Sequence, residues 1–193
     1  YGYGNAIYVT HPNGFTSVYG HLQKYNDKIH QVVEAYQYKK EEFEVELFPP
    51  PFSMQVKKGE LIAYSGNSGG SGGPHLHFEI RKTSNEHPMN PLFFGFSVSD
   101  RVKPEIYAVT IYPLNDTSYV NSTNKAQRFI ARGSNGSYTI PLKSQLKVQG
   151  KIGFGIETVD RMSGTSNKYG LHNIQLKHNN ELIFEQQIDE FAF

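Results

Sequence analysis

The dipeptide Asn13-Gly14 stands between two alternating runs, "NAIYVTH" and "FTSVYGHL", and that arrangement is the strongest short-range signal for a β-hairpin. A two-residue turn there sets Pro12 opposite Phe15, Tyr8 opposite Tyr19 and Ala6 opposite His21. In that register Ile7, Val9, Val18 and Leu22 share the apolar face, with His11 on the Val9 side. His21 falls on the other face, beside Tyr8 and Tyr19.

The pattern of short strands continues, with one interruption. In "KYNDKIHQVVEAYQYKK", Ile29, Val32, Val33 and Tyr36 recur at helical spacing, with Asn26 or Asp27 as N-cap. "EEFEVELF" then alternates Phe43, Val45 and Leu47 against glutamates, as a strand with one buried face does, and "PPP" at 49–51 ends it. "QVKKGELIAYSG" reads as a turn followed by a strand, "HLHFEIR" as another strand, and "HPMNPLFFGF" closes a first unit. Beyond Val98 come "EIYAVTIYPL", "SYTIPL", "GKIGFGIETVD", "LHNIQLKHNNELIFEQQI" and "EFAF", short strands with Asn/Ser/Gly turns. Their spacing suits a small antiparallel, Ig-like sandwich. The expectation is a mainly β chain in two domains, 1–97 with an insert at about 24–53, and 98–193.

Composition narrows the function. Of 193 residues, 37% are hydrophobic, including 13 Tyr and 13 Phe, enough to bury a sizeable core. Nineteen Lys+Arg against 18 Asp+Glu give a formal charge of +1, which argues against a nucleic-acid partner. No apolar run of about 18 residues occurs, so no transmembrane segment is expected. With no cysteine there is neither a disulfide frame nor thiolate chemistry. The chain opens "YGYGNAIYV", without Met or a signal-like region, and a strand pattern begins almost at once. It reads as a fragment or processed form, with any targeting segment lying upstream.

The chemistry concentrates in "GNSGGSGGPHLHFEIR", residues 66–81. Strand alternation sends His75, His77 and Glu79 to one face and Leu76, Phe78 and Ile80 to the other. Two imidazoles at i and i+2 can converge on one cation, or one can bind metal while the other acts as a base. A catalytic zinc needs three protein ligands and an open position, so the pair alone is insufficient. His21 is a third imidazole facing away from the expected core. The remaining histidines, His11, His30, His87, His172 and His178, have ordinary structural readings on the core side, the helix or turns. The glycine tract lacks the Gly-Lys-Ser/Thr ending of a phosphate cradle and feeds a strand, but it lets a substrate backbone approach closely.

The segments "NAIYVTHPNGFTSVYGHL", "VKKGELIAYSGNSGGSGGPHLHFEIR" and "HPMNPLFF" together resemble the core of the LytM/lysostaphin-type zinc endopeptidases, over residues 3–22 and 54–94. The resemblance implies a small antiparallel peptidase β domain with a duplicated hybrid motif and an open groove. It implies Zn2+ as cofactor and the stem or cross-bridge peptides of bacterial cell-wall peptidoglycan as substrate. Carried over by motif, His77 is a zinc ligand, His75 the catalytic base, and His21 a second catalytic histidine that holds water or serves the oxyanion. Tyr8, Tyr19 and Gly73 are candidates for the substrate groove. The location implied is the bacterial cell envelope, periplasmic or secreted.

Two features depart from the family. Its other zinc ligands form an upstream His-x-x-x-Asp motif, which this sequence does not contain; the expectation places it before Tyr1. The stretch from about Lys24 to Ser53 is longer than the family's usual loop and is expected to form a wall or lid beside the groove, or a mere elaboration. The competing reading is a catalytically inactive relative that binds peptidoglycan or regulates a cell-wall amidase; retention of "HLH" and "YGHL" favours the enzyme. A cupin-type metal oxygenase also uses His-x-His, but Glu79 stands too close to serve in it. The domain from Val98 carries no titratable cluster and is expected to be an accessory sandwich that contacts an envelope protein partner.

Overall fold

The computed structural model of the protein describes residues 2–142 and 145–192. The chain divides into two units, one of Tyr1–Phe94 with Glu190–Phe193 and one of Gly95–Asp189. Both are built mainly from antiparallel strands, as the alternation predicts.

In the first unit β1 (Ile7–Thr10), β2 (Phe15–Gly20), β5 (His77–Lys82) and β6 (Pro88–Met89) form one sheet in the order β1-β2-β5-β6. β3 (Leu22–Tyr25) pairs separately with β4 (Ala63–Ser65). As an inner strand, β2 buries Thr16, Ser17 and Val18; with Leu22, Ile29 and Ile80 these residues make the unit's core.

The first hairpin forms, but its register differs from the expected one. Ile7 pairs with Tyr19, Tyr8 with Val18 and Thr10 with Thr16. The His11 N–H donates to the Phe15 carbonyl at 2.8 Å, so the loop is Pro12-Asn13-Gly14, with Gly14 at φ +84°. This is a three-residue connection ending in a left-handed glycine, which competes with the two-residue turn for the same Asn-Gly signal. The one-residue slip sends neighbours to opposite faces. Tyr8 therefore lies on the face of Val18 and Glu79, while Tyr19 lies on the other, its ring 5.4 Å from that of Phe78.

The expected helix is α1 (Asp27–Lys40). Asn26, not Asp27, is its N-cap: the side-chain oxygen accepts the Ile29 N–H at 2.8 Å. Of its residues only Ile29 is buried. "EEFEVELF" is not a strand. Alternation makes a strand only where a neighbour accepts the backbone ladder, and none does so here; Phe43 is 95% exposed.

The second unit holds β7 (Glu105–Pro113), β8 (Tyr119–Val120), β9 (Gln127–Ile130), β10 (Arg132–Ser134), β11 (Ser137–Thr139), β12 (Val148–Gln149), β13 (Ile152–Val159), β14 (Asn173–His178) and β15 (Glu181–Gln187). The sheet β13-β7-β9 is its centre, around Ala108, Ile111 and Val159; β10-β11, β12-β8 and β14-β15 are two-stranded. The turn between β14 and β15 is Asn179-Asn180, both at positive φ, as a tight hairpin requires. "EFAF" does not join these strands. Glu190 bridges to Met89, and the Phe191 N–H donates to the Pro88 carbonyl at 3.0 Å, in the first unit.

Candidate active site

Three imidazoles from distant parts of the sequence converge. The His21 ring centroid lies 4.8 Å from that of His75 and 5.7 Å from that of His77, the latter pair edge to face. His77 opens β5 opposite Gly20, and a Cβ on Gly20 would sit 3.3 Å from that of His77. His21 follows directly in the left-handed conformation, at φ +55°, and is buried. A non-glycine residue held there is a local strain of the kind found at functional sites. Its N–H donates to the Tyr3 carbonyl at 2.7 Å, and that of Leu22 to the Asn5 carbonyl at 3.0 Å, so the segment before β1 secures the bend.

The glycine tract holds the imidazoles by their backs. His21 Nδ1 lies 2.8 Å from the Ser68 carbonyl, and His75 Nδ1 lies 2.8 Å from the Gly73 carbonyl. A carbonyl only accepts, so both Nδ1 atoms carry a proton, and in the neutral ring the lone pair is on Nε2. His77 is arranged the other way round. Its Nε2 meets Glu79 Oε1 at 2.5 Å, which puts a proton on Nε2, so that in the neutral ring the lone pair is on Nδ1.

Glu79 is the hub of the site's polar network. Its Oε1 also accepts from the Tyr3 hydroxyl at 2.5 Å, and its Oε2 from Arg81 Nε at 2.7 Å. Arg81 Nη2 donates to the Tyr3 oxygen at 3.0 Å. Burial works against the Glu79 charge, but the bonds from Arg81, Tyr3 and His77 together outweigh it and hold the carboxyl at about 2. The same carboxylate, accepting the Tyr3 proton, raises the phenol above its ordinary value. Tyr8 stands half-exposed on this face, 5.6 Å from the Arg81 guanidinium.

The tract itself is ordered by a second glycine segment. The Gly70 N–H donates to the Gly2 carbonyl at 2.8 Å, and Ser68 Oγ accepts the Asn5 N–H at 2.9 Å and donates to the Leu22 carbonyl at 2.8 Å. Glycines thus serve here to bring two backbones together.

The geometry supports a metal at one position. A ligating histidine characteristically gives its other N–H to a carboxylate, and His77 with Glu79 has that form. Among the described residues, however, no group of three His, Cys, Asp or Glu side chains is placed to hold a metal ion, so His77 is a fitted donor without the rest of a coordination shell. Of the residues expected from the sequence, His21, His75, His77 and Tyr8 share one face, Gly73 orients His75 through its carbonyl, and Tyr19 is on the opposite face. Tyr3, Ser68 and Arg81 were not anticipated. Only Arg81 carried a signal, since it continues the i, i+2 series of His77 and Glu79.

A small antiparallel β unit with this histidine cluster resembles the LytM-type peptidases. The model of peptidase family M23 matches residues 52–91, the stretch that contains His75 and His77. The chain is also 32% identical over 91 residues, 47% of its length, to DD-carboxypeptidase/endopeptidase Mpg of Neisseria meningitidis serogroup B. It is 36% identical over 91 residues to an uncharacterized metalloprotease of Haemophilus influenzae, and 28% identical over 102 residues, 53% of its length, to cell division protein DipM of Caulobacter vibrioides. The chain spans 15%, 14% and 11% of the lengths of these three relatives. Among the described residues no helix is long and apolar enough to cross a membrane.

Proposed function

We propose that the protein is a zinc-dependent endopeptidase of the bacterial cell envelope, periplasmic or secreted, that hydrolyses peptide bonds in peptidoglycan stems or cross-bridges. The observation that carries this reading is the convergence of His21, His75 and His77 with their free nitrogens set by hydrogen bonds. His77 would hold the ion through Nδ1. When bound, zinc supplies Lewis acidity, polarising the scissile carbonyl and making water reactive near neutral pH. His75, its Nδ1–H anchored on Gly73, presents a basic Nε2 and takes the proton of the attacking water. Neutral His21 accepts from water at Nε2; once protonated, the same nitrogen donates to a developing oxyanion. Tyr8 is a candidate to line the groove. The second unit we read as an accessory, Ig-like sandwich that contacts an envelope partner.

The absence of a three-donor group among the described residues favours a second reading, a non-catalytic relative that binds peptidoglycan or regulates an amidase. One experiment separates them. Intact protein is loaded with zinc and incubated with purified sacculi, and the products are resolved by chromatography, with His77→Ala as control. New peptide ends from wild type alone support the peptidase. Sacculus binding without cleavage supports the second reading.

A further inference from the structure

We propose that Glu79 is a positioning residue for His77, clasped by Tyr3 and Arg81 so that the imidazole presents Nδ1, and not Nε2, to the histidine cluster. The inference deepens the peptidase reading and rests on it for the identity of the bound ion.

Free histidine side chains rotate about χ2 and exchange tautomers, and either change would move the lone pair from its present position. One carboxylate prevents both here. Glu79 Oε1 takes the His77 Nε2 proton at 2.5 Å, and a carboxylate can do so only if the proton stays on that nitrogen. The carboxylate itself has little freedom. Tyr3 shares Oε1, Arg81 Nε holds Oε2, and Arg81 Nη2 closes the ring on the Tyr3 oxygen. Only 15% of the Glu79 side chain and 9% of that of Arg81 is exposed, so water competes poorly for these bonds. Tyr3 adds a steric stop, its ring centroid 4.7 Å from that of His77. Tyr3 belongs to the segment whose carbonyl secures the His21 bend, so one residue fixes two of the three imidazoles.

The test reads the tautomer directly. Nitrogen-15 shifts of the histidine rings are recorded at neutral pH on metal-free, full-chain protein, for wild type and Glu79→Ala. Wild type is expected to show His77 protonated at Nε2 and unprotonated at Nδ1. Glu79→Ala is expected to show exchange between tautomers at His77, with His21 and His75 unaltered. A wild-type His77 protonated at Nδ1 overturns the proposal even if the variant does not fold, as does a folded variant with unchanged His77 shifts. Zinc titration by calorimetry adds the second arm. Loss of this kind of outer partner weakens metal affinity about 10–100-fold, and that drop is expected for Glu79→Ala. A wild type that binds no zinc overturns the identity of the ion, while the nitrogen shifts still decide the role of Glu79.

Discussion

Gly4 and Gly69 face each other so closely that a β-carbon on Gly4 would lie 2.4 Å from the Gly69 nitrogen, and one on Gly69 would lie 2.3 Å from the Gly4 nitrogen. Both have positive φ, +59° and +71°. The contact joins the segment that carries Tyr3 to the tract that orients His21 and His75. Gly69→Ala is expected to cost on the order of 1–3 kcal/mol, because backbone cannot yield as a flexible side chain does. Gly72, with nothing within 4 Å and no positive φ, is the control, and Gly72→Ala should stay within about 0.5 kcal/mol. Chemical denaturation of the two variants checks the difference.

Replacing the histidines of the proposed centre one at a time should separate chemistry from metal binding. His75→Ala is expected to lower peptidoglycan hydrolysis by about 10²–10⁴-fold, the usual span for loss of a general base, with zinc content retained. His77→Ala is expected to lose the metal and the activity together. Equal metal loss in both variants, measured by elemental analysis, would reassign His75 as a ligand.

The insert joins two antiparallel neighbours. Tyr25 of β3 pairs with Ala63 of β4, and the Asn26 N–H donates to the Ile62 carbonyl at 2.8 Å. A short turn in place of residues 27–61, the insert with the eight residues that follow it, therefore only has to close a hairpin. The shortened protein is expected to fold, judged by an unchanged circular dichroism signature of strands and a cooperative melt. If the insert walls the groove, the products released from sacculi should broaden; an unchanged rate and product pattern would discard that role.

Acid should erase one stabilising contact of the second unit. The Asp100 carboxylate accepts from the Val102 N–H at 3.0 Å and from the Ser163 N–H and hydroxyl at 2.9 and 3.0 Å. These bonds, that from Val102 foremost, lower its pKa below 3.8. A depressed folded value means stabilisation that is full above the unfolded value and fades as pH falls through the folded one. The gap in melting temperature between wild type and Asp100→Ala is thus expected to be largest at neutral pH and to close toward low pH.

How much of this was legible in the sequence depended on the range of the interaction. Alternation alone put His75, His77 and Glu79 on one face, and the spacing of Ile29, Val32, Val33 and Tyr36 marked the helix. Each of these is decided by neighbours a few residues away. The first hairpin's register was not legible, since an Asn-Gly pair serves two loop lengths and the choice decides whether Tyr8 shares a face with Glu79 or with Tyr19. The "EEFEVELF" pattern misled because a strand needs a partner that no local signal announces. Tyr3 stayed hidden because its bond to Glu79 spans 76 positions. His21 itself was expected at the site, but its left-handed backbone was not legible, because nothing in its neighbours announces it.

The return of Glu190 to Met89 has an architectural consequence. Phe94 and Glu190 both belong to the first unit, so residues 95–189 form a parenthesis within it and not a tail appended to it. Where a chain leaves a unit and re-enters it at nearby points, the length of what lies between places little constraint on the unit itself.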